Sequence, residues 1–505
     1  MVLRNLALLL CSVSVAACAT TATGSRTPVA VPQGGDAYFQ AAAQTVASRP
    51  SAERARNVII FIGDGMGVST VTAARIYAGQ RLGQDGESYN LTLDTFPHTA
   101  LSRTYGNDAQ ISDSAPTATA LLSGVKTNEG VIGVTAASTP RRCEGQNAHA
   151  SRSIFEFAEA AGMATGVVST ARITHATPAA VYAHTPYREW EADSDLGGAA
   201  AQGCTDIARQ LIEWPEGDGL ELAYGGGRRN FLPTSVADPE DAAARGERAD
   251  GRNLADEWAQ RPGRVYVWNS AQLAAAPADA KVLGLFSYDH MAYESARARD
   301  VGGEPSLAEL TANAITRLSN DPDGYVLLVE GGRIDHAHHE GRAGEALSET
   351  VAFDDAIRTA LAMTSRDDTL VVATADHSHT FSISGYSPRG APILGLSLGD
   401  DGAPILAADR RPYTTLGYAN GPGSIYTVPE GQTAQPILRP DLTNTDTQSL
   451  GFRQPSLVPL RSETHGGEDV TIYAWGPSDD MIAGTLEENV VFHVMARALG
   501  FSWAR

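Results

Sequence analysis

The sequence predicts an α/β protein: a three-layer sandwich with a large, mostly parallel central sheet, helices on both faces, and a small inserted subdomain. Two observations carry this. Apolar runs of strand length recur along the chain, and each ends in, or follows, a cluster of Asp, Glu or His. Helical patterns fall between the runs, and strand–helix–strand order builds parallel sheets covered on both sides. At 505 residues and 43% hydrophobic content, the chain can bury a core of that size.

In chain order, Asn57 to Gly63 (NVIIFIG) leads into Asp64-Gly65-Met66-Gly67, with a helical pattern over Val68 to Gly79. A second helix contains Ala118 to Leu122, and a third covers Ser151 to Ala161. Gly166 to Ser169 then leads into Arg172-Ile173-Thr174-His175. Leu307 to Leu318 reads as a helix before the run Tyr325 to Val329, which ends at Glu330. Ala346 to Met363 precedes Thr369 to Ala375, which ends at Asp376-His377. Asp469 to Trp475 follows Thr464-His465. The first four runs are expected to be buried parallel strands. Ligands of open sheets sit outside the carboxyl ends of the strands, where these polar residues fall. Asn230 to Arg264 is polar and reads as a surface excursion with short helices. The chain divides into a signal (1–17), a tether (18–41), a catalytic domain (42–382 and 460–505) and an inserted subdomain (383–459).

The N-terminus reads as an export signal. Arg4 precedes twelve mostly apolar residues, Leu6 to Ala17, too few for a mature bilayer span. Val15-Ala16-Ala17-Cys18 resembles a bacterial lipobox that would place a lipid on Cys18. The alternative is ordinary cleavage after Ala17 or Ala22. Cys143 and Cys204 either pair in an oxidising compartment or stay separate buried thiols. The formal charge of −21, with no run of Lys and Arg, excludes a nucleic-acid-binding face. It also means that a site for anions must be made locally positive, which bound metals can do.

A serine, three sets of possible metal donors and an arginine bear chemistry. Ser114 stands before a helical pattern with Pro116 in its first turn; it is either an N-cap or a nucleophile at the positive end of a helix. No Gly-X-Ser-X-Gly elbow surrounds it, which leaves a metal as the activator. Asp335 and His339 share a helical face at i,i+4 and, joined by His465, make a mixed oxygen and nitrogen set that suits zinc. Asp376, His377 and Asp64 make a second set, provided the strand has ended before Asp376. Asp64, Thr177 and Glu330 offer oxygens suited to magnesium. Five of the 12 histidines fall within 335–339 and 376–379, a concentration that favours metal binding over isolated structural roles. Arg188, flanked by Tyr187 and Trp190, either covers a surface or forks onto two phosphoryl oxygens.

These segments resemble the alkaline phosphatase family, and its animal-type branch more than the commonest enteric form, here in a bacterial secreted or lipoprotein setting. The resemblance runs from about Tyr38 to Leu499 through Asn57–Arg75, Asp113–Gly133, Thr174–Trp190, Val329–Arg342, Thr374–His379 and Glu463–Asp469. It implies hydrolysis of phosphate monoesters through a phosphoserine at Ser114, with Arg188 clamping the phosphate. It implies one zinc on Asp335, His339 and His465, another on Asp64, Asp376 and His377, and magnesium on Asp64, Thr177 and Glu330. It further implies supporting roles for His175 and His336, a Cys143–Cys204 disulfide, and a homodimer formed partly by the inserted crown. The family's calcium site is not expected, because Ser287 stands where its pattern has an acid. The rival readings are a relative that acts on diesters or sulfates, and a phosphate-binding lipoprotein without turnover.

Overall fold

The computed structural model describes residues 28–49, 53–143, 146–424 and 439–503. The signal, Cys18 and part of the tether lie outside these residues. Fifteen strands are present among them: β1 (Asn57–Gly63), β2 (His98–Arg103), β3 (Ala164–Arg172), β4 (Leu222–Gly226), β5 (Arg264–Val267), β6 (Lys281–Leu285), β7 (Tyr325–Glu330), β8 (Thr369–Ala375), β9 (Ser378–His379), β10 (Phe381–Ile383), β11 (Leu416–Gly421), β12 (Ser456–Pro459), β13 (His465–Gly466), β14 (Val470–Trp475) and β15 (Gly484–Glu487).

Ten of them form one sheet, in the order β15-β2-β14-β8-β1-β7-β3-β4-β6-β5. β1 lies at its centre, parallel to β7 on one side and β8 on the other. The seven residues of β1 are all buried because both faces of the sheet are covered. Val58, Ile60 and Ile62 pack into one apolar layer, while Ile59 and Phe61 pack into the other. β14 alone runs against both of its neighbours. The expected strands are therefore present, and the fold class is the one the sequence predicts.

The structure adds five strands to this sheet that the apolar runs did not reveal: β2, β4, β5, β6 and β15. The excursion after Asn230 also differs from expectation. It contains the short helix Leu254–Ala259, but its charges are not simply solvated. Arg248 is fully buried against Asp206 at 2.8 Å, and neighbouring Arg228 is fully buried against Asp238 at 2.8 Å. Paired guanidinium groups can be enclosed in this way, so a polar composition concealed internal packing.

Between Phe381 and Pro459, β10, β11 and β12 form a separate three-stranded sheet. A third, two-stranded sheet pairs β13 with β9, setting His465 opposite His379. This short pairing closes a distance of more than 80 residues in sequence and brings the two ends of that intervening segment together. No helix among the described residues is long and apolar enough to cross a membrane.

Candidate metal centre

The site forms where strands stop. Asp64 follows β1, Glu330 ends β7, and Asp376-His377 occupies the break between β8 and β9. That break frees both side chains to face one place, as the sequence argument required. The helix Arg333–His339 then presents Asp335 and His339 from one face, with Asp335 Oδ1 3.3 Å from His339 Nε2. Gly65 makes the turn after β1 with φ of +66°, and an added Cβ there would stand 2.3 Å from His379 Nε2. Only glycine fits both the conformation and the space.

Ser114 is the first residue of the helix Ser114–Ser123, and the N-cap is Asp113, whose carboxylate accepts from the Ala115 N–H at 2.8 Å. The N-cap reading of Ser114 is thus corrected: a stronger capping acceptor stands one residue earlier, which leaves the serine hydroxyl free for the site. Ser114 Oγ lies 3.2 Å from Asp64 Oδ1 and 3.1 Å from His377 Nε2. His377 Nε2 is in turn 3.3 Å from Asp64 Oδ1 and 3.5 Å from Asp376 Oδ2.

A second set gathers around Asp335. Its Oδ1 is 3.5 Å from His465 Nε2, and the Nε2 atoms of His465 and His339 are 3.2 Å apart. Donors about 2.0–2.1 Å from one tetrahedral centre would be roughly 3.3 Å from each other. Both sets have this spacing, so the residues present fit zinc. The oxygens of the third set fit a hard cation. Thr177 Oγ1 and Glu330 Oε1 are buried with no hydrogen-bond partner, and Asp64, His175 and Glu330 bring donor atoms within 4.8 Å of one another.

The charge balance points the same way. Burial, and then the neighbouring Asp376, Asp335 and Glu330, raise the Asp64 carboxyl well above its usual range. Burial, aided by Asp376 and Asp335 against the Ser169 hydroxyl, pushes Glu330 up to about 8. Asp335 differs: burial opposes its ionisation, but His339, His379 and His465 outweigh it and hold the carboxyl well below the usual value. Enclosed carboxylates that repel one another are what bound cations neutralise.

Arg188 is held rather than free. Its Nη2–H donates to His175 Nε2 at 2.9 Å, and Nη1 lies 3.7 Å from Asp113. Burial, and then Arg188 itself, keep His175 neutral and hence an acceptor. The His175 and His336 ring centroids are 5.4 Å apart. Cys143 and Cys204 are bonded, with Cα atoms 5.4 Å apart. The disulfide packs with Tyr187 and Trp190, the residues that flank Arg188 and Glu189.

The sequence reading missed three residues. His379 Nε2 is 2.9 Å from Asp335 Oδ1. Glu463 lies behind it, with Oε2 2.5 Å from His379 Nδ1. His290 packs on His336 with centroids 4.0 Å apart. The signal for the first was the alternation Asp376-His377-Ser378-His379, and for the second the spacing Glu463-Thr464-His465. His290 gave none.

The family description "Alkaline phosphatase" matches residues 55–501. The chain is 45% identical over 456 residues to the tissue-nonspecific alkaline phosphatase isozyme of Gallus gallus, covering 88% of this chain and 84% of that one. It is 46% identical over 454 residues to the isozyme of Felis catus, covering 88% and 83%. Among solved structures, alkaline phosphatase from Thermus thermophilus matches with a TM-score of 0.63 and 24% identity, covering 91% of this chain and 94% of that one, a likeness of fold. The bacterial setting expected from the sequence is corrected by these comparisons. The similarity in sequence is to vertebrate tissue-nonspecific isozymes, whereas the bacterial structure shares only 24%.

Proposed function

Because the chain belongs to the alkaline phosphatase family, we propose that it transfers phosphate from monoesters to Ser114 and then to water, using two zinc ions and one magnesium ion per chain. It is a hydrolase of that family, phosphate-monoester hydrolysis is its reaction, and its clustered Asp, His and Glu suit several metal ions. The observation that carries the finer reading is Ser114 Oγ itself, fixed within 3.2 Å of both Asp64 and His377 at the first turn of a helix.

Asp335, His339 and His465 would hold one zinc, and Asp64, Asp376 and His377 the other. Asp64, Thr177 and Glu330 would hold magnesium. When bound, the metals supply positive charge that favours an ionised Ser114, an ionised leaving alcohol and an ionised water. The residues of the chain do the rest. Arg188 takes two phosphoryl oxygens in its guanidinium fork, with His175 and Asp113 fixing the fork's direction. The backbone at the start of the helix Ser114–Ser123 faces the same charge. Ser114 Oγ bonds to phosphorus as the ester P–O bond breaks and the alcohol leaves. Water then bonds to phosphorus as the bond to Ser114 breaks, releasing inorganic phosphate. Two in-line displacements give net retention at phosphorus.

Release of phosphate from an aryl monoester, its loss in chelator, and trapping of phosphate on Ser114 at low pH test this reading. Turnover of diesters or sulfates in preference to monoesters, or phosphate binding without turnover, would refute it. The surrounding expectations belong to the same reading. The disulfide supports export to an oxidising compartment, with lipid attachment at Cys18 as the anchor. The segment 383–459 is proposed as the inserted subdomain between catalytic parts 42–382 and 460–505, and as part of a homodimer interface. Acyl labelling of wild type against Cys18→Ala, and the mass in solution, check these points.

A further inference from the structure

Glu191 follows Arg188 by three residues and is buried. The phosphate chemistry above leaves it without a role, yet four donor atoms converge on its carboxylate. Oε1 accepts from Arg172 Nη2 at 2.5 Å. Oε2 accepts from Arg172 Nε at 2.8 Å, from the Thr174 hydroxyl at 2.5 Å and from Asn230 Nδ2 at 3.0 Å. Asn230 also donates to Thr174 Oγ1 at 2.8 Å. The Arg172 contact is a two-bond fork, which fixes direction as well as distance.

These contacts join two segments that both lead to the phosphate clamp. Arg172 is the last residue of β3, and its carbonyl accepts from the His175 N–H at 2.8 Å. His175 Nε2 in turn lies 2.9 Å from Arg188 Nη2. The result is a closed ring. Side chains join Arg188 to His175, the turn after β3 joins His175 to Arg172, the fork joins Arg172 to Glu191, and the main chain returns to Arg188. On the other flank, the Arg188 N–H donates to the Gly130 carbonyl at 2.7 Å. Opening the ring at Glu191 therefore loosens one side of the loop while the Gly130 side holds, and small misplacements of a clamp weaken binding. With its oxygens taken, Glu191 does not pair with Arg188. The acids beside that guanidinium are Glu189 and Asp113, at 3.5 and 3.7 Å, and neither is in a tight pair with it.

We propose that Glu191 is a positioning residue for phosphate binding, acting through Arg172 to fix where Arg188 places its guanidinium; this rests on the reading of Arg188 as the phosphate clamp given above. A merely structural role gives the same change whether or not Arg188 is present. A positioning role gives a change that disappears with Arg188.

The experiment is a double-mutant cycle on the full-length protein loaded with zinc and magnesium. It reads the inhibition constant of inorganic phosphate, and KM and kcat for an aryl monoester. We expect Glu191→Gln to raise the inhibition constant and KM by about 3–10-fold, with a smaller fall in kcat and unchanged metal content. In the Arg188→Ala background the same substitution should change the inhibition constant by less than about 2-fold. Asp289→Asn alters a second partner of Arg172, at 2.7 Å, but keeps the fork to Glu191, and its constants should match wild type. The proposal is overturned if Glu191→Gln binds phosphate as wild type does, if its effect is equally large without Arg188, or if Asp289→Asn weakens phosphate as much. Should Glu191→Gln fail to fold, Arg172→Lys opens the fork from the other end while Thr174 and Asn230 stay on Glu191. It should weaken phosphate in the same way, and unchanged inhibition there overturns the proposal. An Arg188→Ala protein that binds phosphate like wild type would overturn the reading of Arg188 itself, and the proposal with it.

Discussion

Ser114 is a primary alcohol with no neighbouring base of the elbow type, so removing its oxygen removes the covalent route without removing a buried charge. Ser114→Ala should lose several orders of magnitude in kcat while keeping its full metal content. Asp64 is different, because one side chain faces two of the three donor sets. Asp64→Ala should lose metal from both, and zinc and magnesium measured beside the rate would show it; full metal content would count against the shared role. Arg188→Ala removes a charge-assisted fork and should cost roughly 10–100-fold in kcat/KM, with the metals retained. At this scale the sequence was legible where residue types cluster, as in Asp335-His336-Ala337-His338-His339. It was not legible where pairing of distant segments alone brings side chains together. Glu463 and His379 look like ordinary loop residues until β9 and β13 pair, and Ser114 looks like a cap until Asp113 is seen to cap the helix.

The elements aim these residues by ending abruptly. β1 ends in a turn that needs Gly65, where φ is +66° and a methyl group would meet His379 Nε2 at 2.3 Å. Gly65→Ala should therefore displace His379, lower zinc content and reduce activity by at least about 10-fold, even where the sheet stays folded; unchanged zinc release would refute the crowding argument. The loop that bears Arg188 is aimed by a different device. The Cys143–Cys204 bond, 61 residues apart in sequence, packs against Tyr187 and Trp190. Replacing both cysteines by serine should cost about 4 kcal/mol in the loop-entropy account. It should also raise KM more than it lowers kcat, because the phosphate clamp loosens while Ser114 stays in place. The strand ends were readable because they carry Asp, Glu and His. β2 was not, because its exposed residues alternate with buried ones at the flank of the sheet, and β4 was not, because its five residues end in two glycines.

Over the whole molecule, the sheet was legible at its centre and faint toward its margins. β1, β7 and β8 are covered on both faces and so read as unbroken apolar runs, whereas β5 is four residues long and mostly half-buried. The same enclosure that makes the centre readable also traps acids in a chain with formal charge −21. Burial raises Glu159 and Glu304 to about 7, and Glu349 to about 8. Glu349, in the helix Ala343–Met363, gives the cleanest case, because its Oε1 accepts the Glu294 N–H at 2.5 Å and a glutamine carbonyl would keep that bond. Below about pH 4.5 the folded and unfolded forms are both protonated there, and the group adds no pH dependence. Between about 4.5 and 8 the unfolded chain releases the proton that the folded chain keeps, so stability falls as pH rises. Above 8 both are ionised and the loss is complete. A tenfold difference in proton affinity between the two forms corresponds to about 1.4 kcal/mol, and relaxation around the buried charge reduces the total. Glu349→Gln should thus gain roughly 1–3 kcal/mol over wild type at pH 9, with a smaller gain at pH 5.5. Denaturant midpoints at the two pH values, with zinc and magnesium held constant, would check this; a gain that does not grow with pH would show that Glu349 is not held protonated by its burial.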